Sequence, residues 1–244
     1  MVSKNEIKLI TSLQQKKYRN KYQLFVVEGI KSVKEFVQSK YPVYQIYVTE
    51  DIHIDIDQNL QSIISKNDLK RITNLKNSSG VVGIFKIPKL FTKDTDDLQI
   101  ILDEVKDPGN LGTIIRLCDW FGISQLICST GTVDCYNPKV IQATMGSLTR
   151  VNVIYTDIKS YLKKEKVPVY VSNLSGENLY KKVVDKKAIL VMGNEANGIS
   201  PEIMELADKK ISIPRFGENS KAESLNVATA TAIFLGEFRR QSML

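Results

Sequence analysis

Short apolar runs recur along this chain, each bounded by Gly, Pro, Asn or Asp, with apolar residues at helical spacing between them. In the later part the runs are LQIILD (98–103), SQLICST (124–130), RVNVIYT (150–156), VPVYVSN (167–173), KAILVMG (187–193) and KISIP (210–214). Val, Ile or Leu dominate each, the composition of strands buried on both faces. Between the runs, Ile114, Leu117, Cys118 and Phe121 share one helix face. Asn137-Pro138 and Ser200-Pro201 predict two more helix starts, because Pro is preorganised for the first helical position behind a polar cap. Strands alternating with helices predict an α/β domain, a mostly parallel sheet with helices on both faces.

The earlier part has a looser version of the same rhythm. LFVVEG (24–29), VYQIYVT (43–49) and VVGIF (81–85) read as strands, and IKSVKEFVQ (30–38) places Ile30, Val33 and Val37 at helical spacing. Ser3 and Glu6 have the spacing of a capping box, which predicts a retained helix at the N-terminus rather than a transit peptide. These segments predict a small α/β domain over residues 1–90. The stretch KIPKLFTKDTDD (86–97) then turns to Pro, Lys and Asp without an apolar period, so 91–97 is read as a linker and 98–244 as the second domain.

Charge separates the two parts. The chain of 244 residues carries a formal net charge of +7. Residues 1–90 hold 15 Lys and Arg against 8 Asp and Glu, and residues 91–244 hold 19 against 19. A basic region joined to a neutral one points to a polyanionic partner, nucleic acid above all, for the first domain; scattered solvated lysines are the plainer alternative. No apolar run approaches the ~20 residues that a membrane helix needs, so no membrane role is expected. Cys118, Cys128 and Cys135 form no C-x-x-C pair, and His53 is the single histidine, so no Cys/His metal site is expected. Cys118 and Cys128 are read as core residues in a reducing cytoplasm, and His53 as a surface residue on a short strand.

In a parallel α/β sheet, ligands bind beyond the carboxyl ends of the strands, which singles out three loops. In KDPGNLGTIIR (106–116), Gly109 and Gly112 free the backbone at a helix start, Asn110 is placed as the cap, and Arg116 follows six residues later. A capped turn followed by a surface Arg explains that loop as well. The dinucleotide pattern G-x-G-x-x-G and the Gly-Lys-Ser/Thr of a phosphate loop are both absent. In LVMGNEANGISPEI (190–203), a buried strand runs into Gly193-Asn194-Glu195. A carboxylate there is costly unless paired, and Arg116 or a helix terminus is the structural candidate for the pairing. In SIPRFGENSKAESLNVATATAIF, Ser224 and Asn226 lie two apart where a helix begins and free N–H groups bind polar ligand atoms. A plain cap needs only one of them.

The three stretches DPGNLGTIIR, LVMGNEANGIS and SIP…ESLNVATATAIF, in that order, resemble the signature motifs of the SpoU (TrmH-type) RNA ribose 2′-O-methyltransferases of the SPOUT superfamily. The resemblance covers about residues 98–244. RNKYQLFVVEGIKSVKEFV resembles the substrate-binding domain often fused ahead of that catalytic domain. The resemblance implies a deep trefoil knot, which periodicity alone would never suggest. S-adenosylmethionine would bind in the knot against Gly193, Asn194, Ile213 and Leu225, and near Leu174. Asn110, Arg116, Glu195, Ser224 and Asn226 match the family's polar active-site positions. A homodimer is implied, with both subunits contributing to the site. Two departures stand out: Ala196 where many members have Gly, and a long charged loop, RFGENSKAE, before Ser224.

The chemistry implied is methylation of a ribose 2′-hydroxyl, with ribosomal RNA favoured over transfer RNA because of the separate first domain. Arg116 is expected to stabilise the developing alkoxide or grip a phosphate. A guanidinium is a donor of hydrogen bonds and not a free base, so a proton-accepting role is not expected of it. Glu195 is expected to orient Arg116, and Arg116, Glu195 and Ser224 to surround one cleft. Two other classes compete: an RNA-binding protein without catalysis, and a dinucleotide-dependent oxidoreductase. The intact polar set argues against the first and the missing glycine fingerprint against the second.

Overall fold

A computed structural model of the chain describes residues 2–92, 97–217 and 221–243. The elements are α1 (Lys4–Ser12), α2 (Lys16–Tyr22), β1 (Leu24–Glu28), α3 (Ile30–Val37), β2 (Val43–Val48), β3 (Gln61–Ile63), α4 (Lys66–Ile72) and β4 (Val81–Lys86). There follow β5 (Gln99–Leu102), α5 (Pro108–Trp120), β6 (Gln125–Ser129), α6 (Pro138–Thr144), β7 (Asn152–Thr156), α7 (Ile158–Leu162) and β8 (Val169–Asn178). The last are β9 (Ile189–Met192), α8 (Pro201–Met204), β10 (Lys209–Ser212) and α9 (Val227–Ser242). Among the described residues, no helix is long and apolar enough to cross a membrane.

The chain divides into two compact units. The first comprises Met1–Lys89 and Asp134–Thr149. Its sheet has the order β1-β4-β2-β3, antiparallel except for the β2–β3 pair. The Ser3–Glu6 box caps α1 as the spacing predicts, with Ser3 Oγ accepting from the Glu6 amide and the Glu6 carboxylate accepting from the Ser3 amide. His53 is exposed but lies in a loop rather than on a strand.

The segment 134–149 was expected in the second domain and instead packs within the first unit. Three contacts hold it. The Tyr136 ring lies 4.7 Å from that of Phe25, which also meets Phe36, Tyr41 and Phe85. The Tyr41 hydroxyl donates to the Leu148 carbonyl at 3.3 Å. Arg19, 2% exposed, donates to Asp134 through Nη2 at 2.6 Å and Nε at 2.9 Å. No periodicity reveals this, because a helix pattern says which face is apolar and not which sheet will cover it.

The second unit, Leu90–Val133 with Arg150–Leu244, is built on a wholly parallel six-stranded sheet of order β10-β8-β9-β5-β6-β7. Of the residues read as a linker, 93–96 lie outside the described ones. The central strands β5, β6 and β9 are buried along their whole length, as their unbroken apolar runs require. β8 runs past the predicted end at Asn173 as far as Asn178. The register of β10 against β8 jumps from Lys210↔Val171 to Ile211↔Glu177, so residues 172–176 loop out of the pairing. At that crossing a Cβ on Gly176 would stand 2.6 Å from the Ile211 nitrogen. Only glycine lets the two backbones approach so closely. α5 and α9 pack together, and Arg239 of α9 donates to the carbonyl of Phe121 at the end of α5.

Candidate active site

The site forms where three loops of the second unit meet beyond the carboxyl ends of β5 and β9 and before α9. The first loop follows β5. Its cap is Asp107, whose carboxylate accepts from the Asn110 amide at 2.8 Å, with Pro108 opening the helix. The expectation that Asn110 caps is therefore corrected: Asn110 is the third residue of α5. Asp107-Pro108 is the device read correctly at Asn137-Pro138, so the signal was present and the more conspicuous glycines obscured it. Freed from capping, the Asn110 side chain turns to the other loops.

The second loop follows β9. The Gly193 backbone is held so tightly that a Cβ there would lie 2.4 Å from the Gly198 carbonyl carbon and 2.5 Å from the Ile199 nitrogen. Its glycine requirement thus comes from the loop's own turn. Asn194 and Gly198 exchange backbone hydrogen bonds at 2.8 and 2.9 Å, and Gly198 takes a φ of +68°. The Asn194 side chain is engaged at both of its polar atoms, within this turn and across to the loop after β5. Its Oδ1 accepts from the Ala196 and Asn197 amides, and its Nδ2 donates to the Glu104 carbonyl at 2.7 Å. Glu104 itself has a φ of +56° and donates its amide to Ser129 Oγ. A non-glycine residue held at positive φ by several bonds is a common device at functional sites.

Glu195 differs from its expectation. The chain leaves the sheet at Met192, so the carboxylate is exposed rather than buried at a strand end. Its partner is Asn110, whose Nδ2 donates to Oε1 at 2.6 Å. Ser200 caps α8 without a side-chain hydrogen bond; instead its amide donates to the buried Asp103 carboxylate at 2.8 Å.

The third loop enters α9. Asn226 is the cap, its Oδ1 accepting from the Ala228 and Thr229 amides at 2.9 and 3.2 Å. Its Nδ2 donates to Asn110 Oδ1 at 2.9 Å. The result is a relay, Asn226 to Asn110 to Glu195, which fixes the Asn110 amide at both ends and ties together loops far apart in sequence. Beside it lies a cleft of about 540 Å³ lined by Lys106, Asp107, Asn110, Asn194, Glu195, Ala196 and Asn197. Lys106 and Asn197 were missed by sequence reasoning, since neither residue type at those positions signals a site before the loops are folded.

Arg116 and Ser224 do not join this relay and do not line the cleft. Both are exposed and, among the described residues, neither side chain has a hydrogen-bonding partner. Arg116 lies six residues past Asn110, ~9 Å farther along the helix axis at 1.5 Å per residue. All five guanidinium donors are therefore available to a ligand. The orientation of Arg116 by Glu195 is corrected by the same finding, because the nearer Asn110 takes the carboxylate.

The apolar positions have a different character. Leu174 is 70% exposed in the loop between the two pairings of β8, and Leu225, just before the Asn226 cap, is 49% exposed. Ile213 is half-buried one residue past β10, where Ser212 Oγ donates to the Gly176 carbonyl at 2.8 Å. An exposed leucine beside tightly apposed backbones, as Leu174 is beside the Gly176 crossing, suits an apolar ligand portion contacted through main-chain groups. Among the described residues no cluster of His, Cys, Asp or Glu could hold a metal ion. Burial, with Asp119 beside it, pushes the Cys118 thiol up to about 12, which leaves it no thiolate character at neutral pH.

Comparison with known proteins places these features. Residues 97–236 match the SpoU rRNA Methylase family, and residues 4–83 match the MRM3-like substrate binding domain. The 23S rRNA (guanosine(2553)-2′-O)-methyltransferase RlmP of Bacillus subtilis is 31% identical over 93% of each chain. The tRNA (guanosine(18)-2′-O)-methyltransferase of Aquifex aeolicus is 36% identical over 64% of this chain and 75% of its own. Among solved structures, a protein of the TrmH family from Porphyromonas gingivalis superposes with a TM-score of 0.90 over 99% of both chains, at 36% identity. An AdoMet-bound rRNA methyltransferase from Sinorhizobium meliloti gives 0.85 at 29% identity, over 98% of this chain and 97% of that one.

Proposed function

We propose that this chain, which belongs to the SpoU rRNA methylase family, methylates a ribose 2′-hydroxyl of RNA with S-adenosylmethionine as donor. The observation that carries this reading is the Asn226–Asn110–Glu195 relay, which assembles three loops around one cleft. Ribosomal RNA is the favoured substrate over transfer RNA. The full-length similarity is to a protein named for 23S rRNA, whereas the transfer RNA enzyme matches a smaller share of the chain.

The residues present fit the cofactor: exposed Leu174 and Leu225 and half-buried Ile213 offer apolar surface, and the apposed backbones at Gly176 and Gly193 offer main-chain groups. S-adenosylmethionine, when bound, supplies an electrophilic methyl group on its sulfonium. The deep knot belongs to the same proposal, with the β8–β10 crossing as its support. Asn194 holds the loop around Gly193 in shape rather than touching the cofactor with its side chain. Asn110 and Glu195 present an amide and a carboxylate that can grip and orient the ribose hydroxyls. Ser224, unengaged at the entry to α9, adds a further donor. Arg116, always charged, stabilises the alkoxide as the hydroxyl loses its proton, or clamps the adjacent phosphate.

The working form is a homodimer in the cytoplasm. Trp120 is 84% exposed one turn beyond Arg116 on α5, an expensive surface to leave in water and a natural seam for a second copy. That arrangement would let one subunit's Arg116 serve a site shared with the other.

The test is transfer of labelled methyl from S-adenosylmethionine to ribosomal RNA from cells lacking the gene, with mass-spectrometric mapping of the ribose mark. Arg116→Ala should lower turnover by about 10²–10³ while leaving cofactor binding in place, as removal of one transition-state donor does. Unchanged turnover in that variant, or no cofactor uptake by the parent protein, would overturn the assignment.

A further inference from the structure

We propose that the outward face of α2 is a stacking platform for an unpaired stretch of RNA, a contact made by the first unit and separate from the cleft. It rests on the reading of the chain as an RNA-modifying enzyme and names where a single strand is held.

α2 has the sequence KKYRNKY, in which no residue is acidic and only Arg19 is buried. Amphipathic surface helices dock through an apolar stripe, whereas this one is anchored by its arginine. Arg19 donates to Asp134 through Nε and Nη2, and to the carbonyls of Leu13 and Gln14 through Nη1 at 2.9 and 2.8 Å. The anchoring thus consumes one cation and leaves both tyrosines out of the core. Tyr18 is half-buried and Tyr22 is 42% exposed. Their rings are stacked, 6.3 Å between centroids with 13° between planes. Lys17 lies over the Tyr18 ring at 5.8 Å and Lys21 over the Tyr22 ring at 5.3 Å, and Lys16 is exposed at the helix start.

Two parallel rings interleaved with lysines meet both demands of a single strand. Every base has a π-face that can extend an aromatic stack, and every step brings a phosphate that needs a cation. A paired duplex hides its base faces and could use only the lysines. The sign agrees with the unit that bears the face, since the first unit holds sixteen Lys and Arg against nine Asp and Glu.

The full chain can be tested by fluorescence anisotropy with labelled oligouridine and with duplex RNA of equal length. The Tyr18→Ala/Tyr22→Ala double variant should bind oligouridine at least tenfold more weakly and duplex RNA almost unchanged, while Tyr22→Phe keeps affinity for both. Lys17→Gln/Lys21→Gln should weaken both probes and flatten the salt dependence. The double variant binding oligouridine as the parent does, or losing duplex equally, would overturn the platform. Calorimetry with S-adenosylmethionine separates the two readings. Tyrosine-dependent oligouridine binding without cofactor uptake sinks the enzyme assignment alone. Normal methyl transfer with tyrosine-independent oligouridine binding sinks the platform alone.

Discussion

The two units use their polar residues in opposite ways. In the second unit, lysines and arginines number eighteen against eighteen acids, and its informative polar groups face one another across three loops. The first unit has a surplus of seven positive charges, and apart from Arg19 it spends them on the surface. Catalytic geometry demands that a few side chains be fixed by several bonds each, as Asn110 and Asn194 are. Holding a polyanion demands only that charge be spread and accessible. The comparison teaches where to look for each kind of sensitivity: point substitutions in the second unit, combined ones on the face of the first.

The largest expected effect breaks the exception. Arg19→Ala leaves Asp134 unpaired in a site where the two side chains are 2% and 12% exposed, and should cost about 3–5 kcal/mol of stability by urea unfolding. Arg19→Met/Asp134→Leu should recover only the part of that loss due to the unpaired charge, because the Leu13 and Gln14 carbonyls still lose their donor. If the single variant unfolds like the parent, the first unit has no internal anchor and the contrast between units weakens.

Next is Gly193→Ala. Its Cβ would press on backbone atoms at 2.4–2.6 Å, which no side-chain rotation relieves. A loss of about 1–3 kcal/mol is expected, together with loss of cofactor uptake by calorimetry. Retained uptake would mean that the loop can shift without disturbing the site.

Asn226→Asp sharpens the contrast within one residue. The carboxylate still caps α9, so the melting temperature should stay within a few degrees, about 1 kcal/mol at most. It cannot donate to Asn110, so turnover should fall roughly tenfold as the relay loses one bond. Equal losses of stability and turnover would reduce Asn226 to a cap.

The smallest effect lies in the acid limb. The Glu237 carboxylate accepts from Arg240 Nε at 2.8 Å, Arg240 Nη2 at 2.7 Å and Gln241 at 2.7 Å. Chiefly the Arg240 bonds lower its pKa from the ordinary 4.5 to about 2. A depressed folded pKa contributes stability that is present above 4.5 and lost as pH falls through about 2. Glu237→Gln should therefore be less stable than the parent by a few tenths of a kcal/mol above 4.5, with the gap closing near pH 2. A gap independent of pH would show that packing, not charge, sets it.

Much of this was legible from residue order. The central strands β5, β6 and β9 fall within the apolar runs because burial on both faces leaves no polar period to confuse them. The N-terminal capping box and the Asn137-Pro138 start were legible because caps are local chemistry, settled within a single turn. β3 and α4 were missed, being short and only partly apolar. At the site, Asn226 caps α9 as its place at the helix start suggests, whereas Asn110 and Glu195 are legible as residues but not in their connections. Asn110 was placed in a cap that Asp107 fills, and Glu195 was paired with Arg116.

Sequence by itself determined the strand and helix alternation, the Ser3 and Asn137 caps, the excess of positive charge in the early part, and the identity of the three loops. All of these depend on neighbours a few residues apart, where backbone sterics and local hydrogen bonds decide. Tertiary structure alone decided that Asn226 reaches Asn110, that Asn194 reaches the Glu104 carbonyl, and that residues 134–149 pack with Phe25 and Arg19. Such pairings join groups scores of residues apart, and which of several equally willing donors reaches an acceptor is set by how the sheets bring them together.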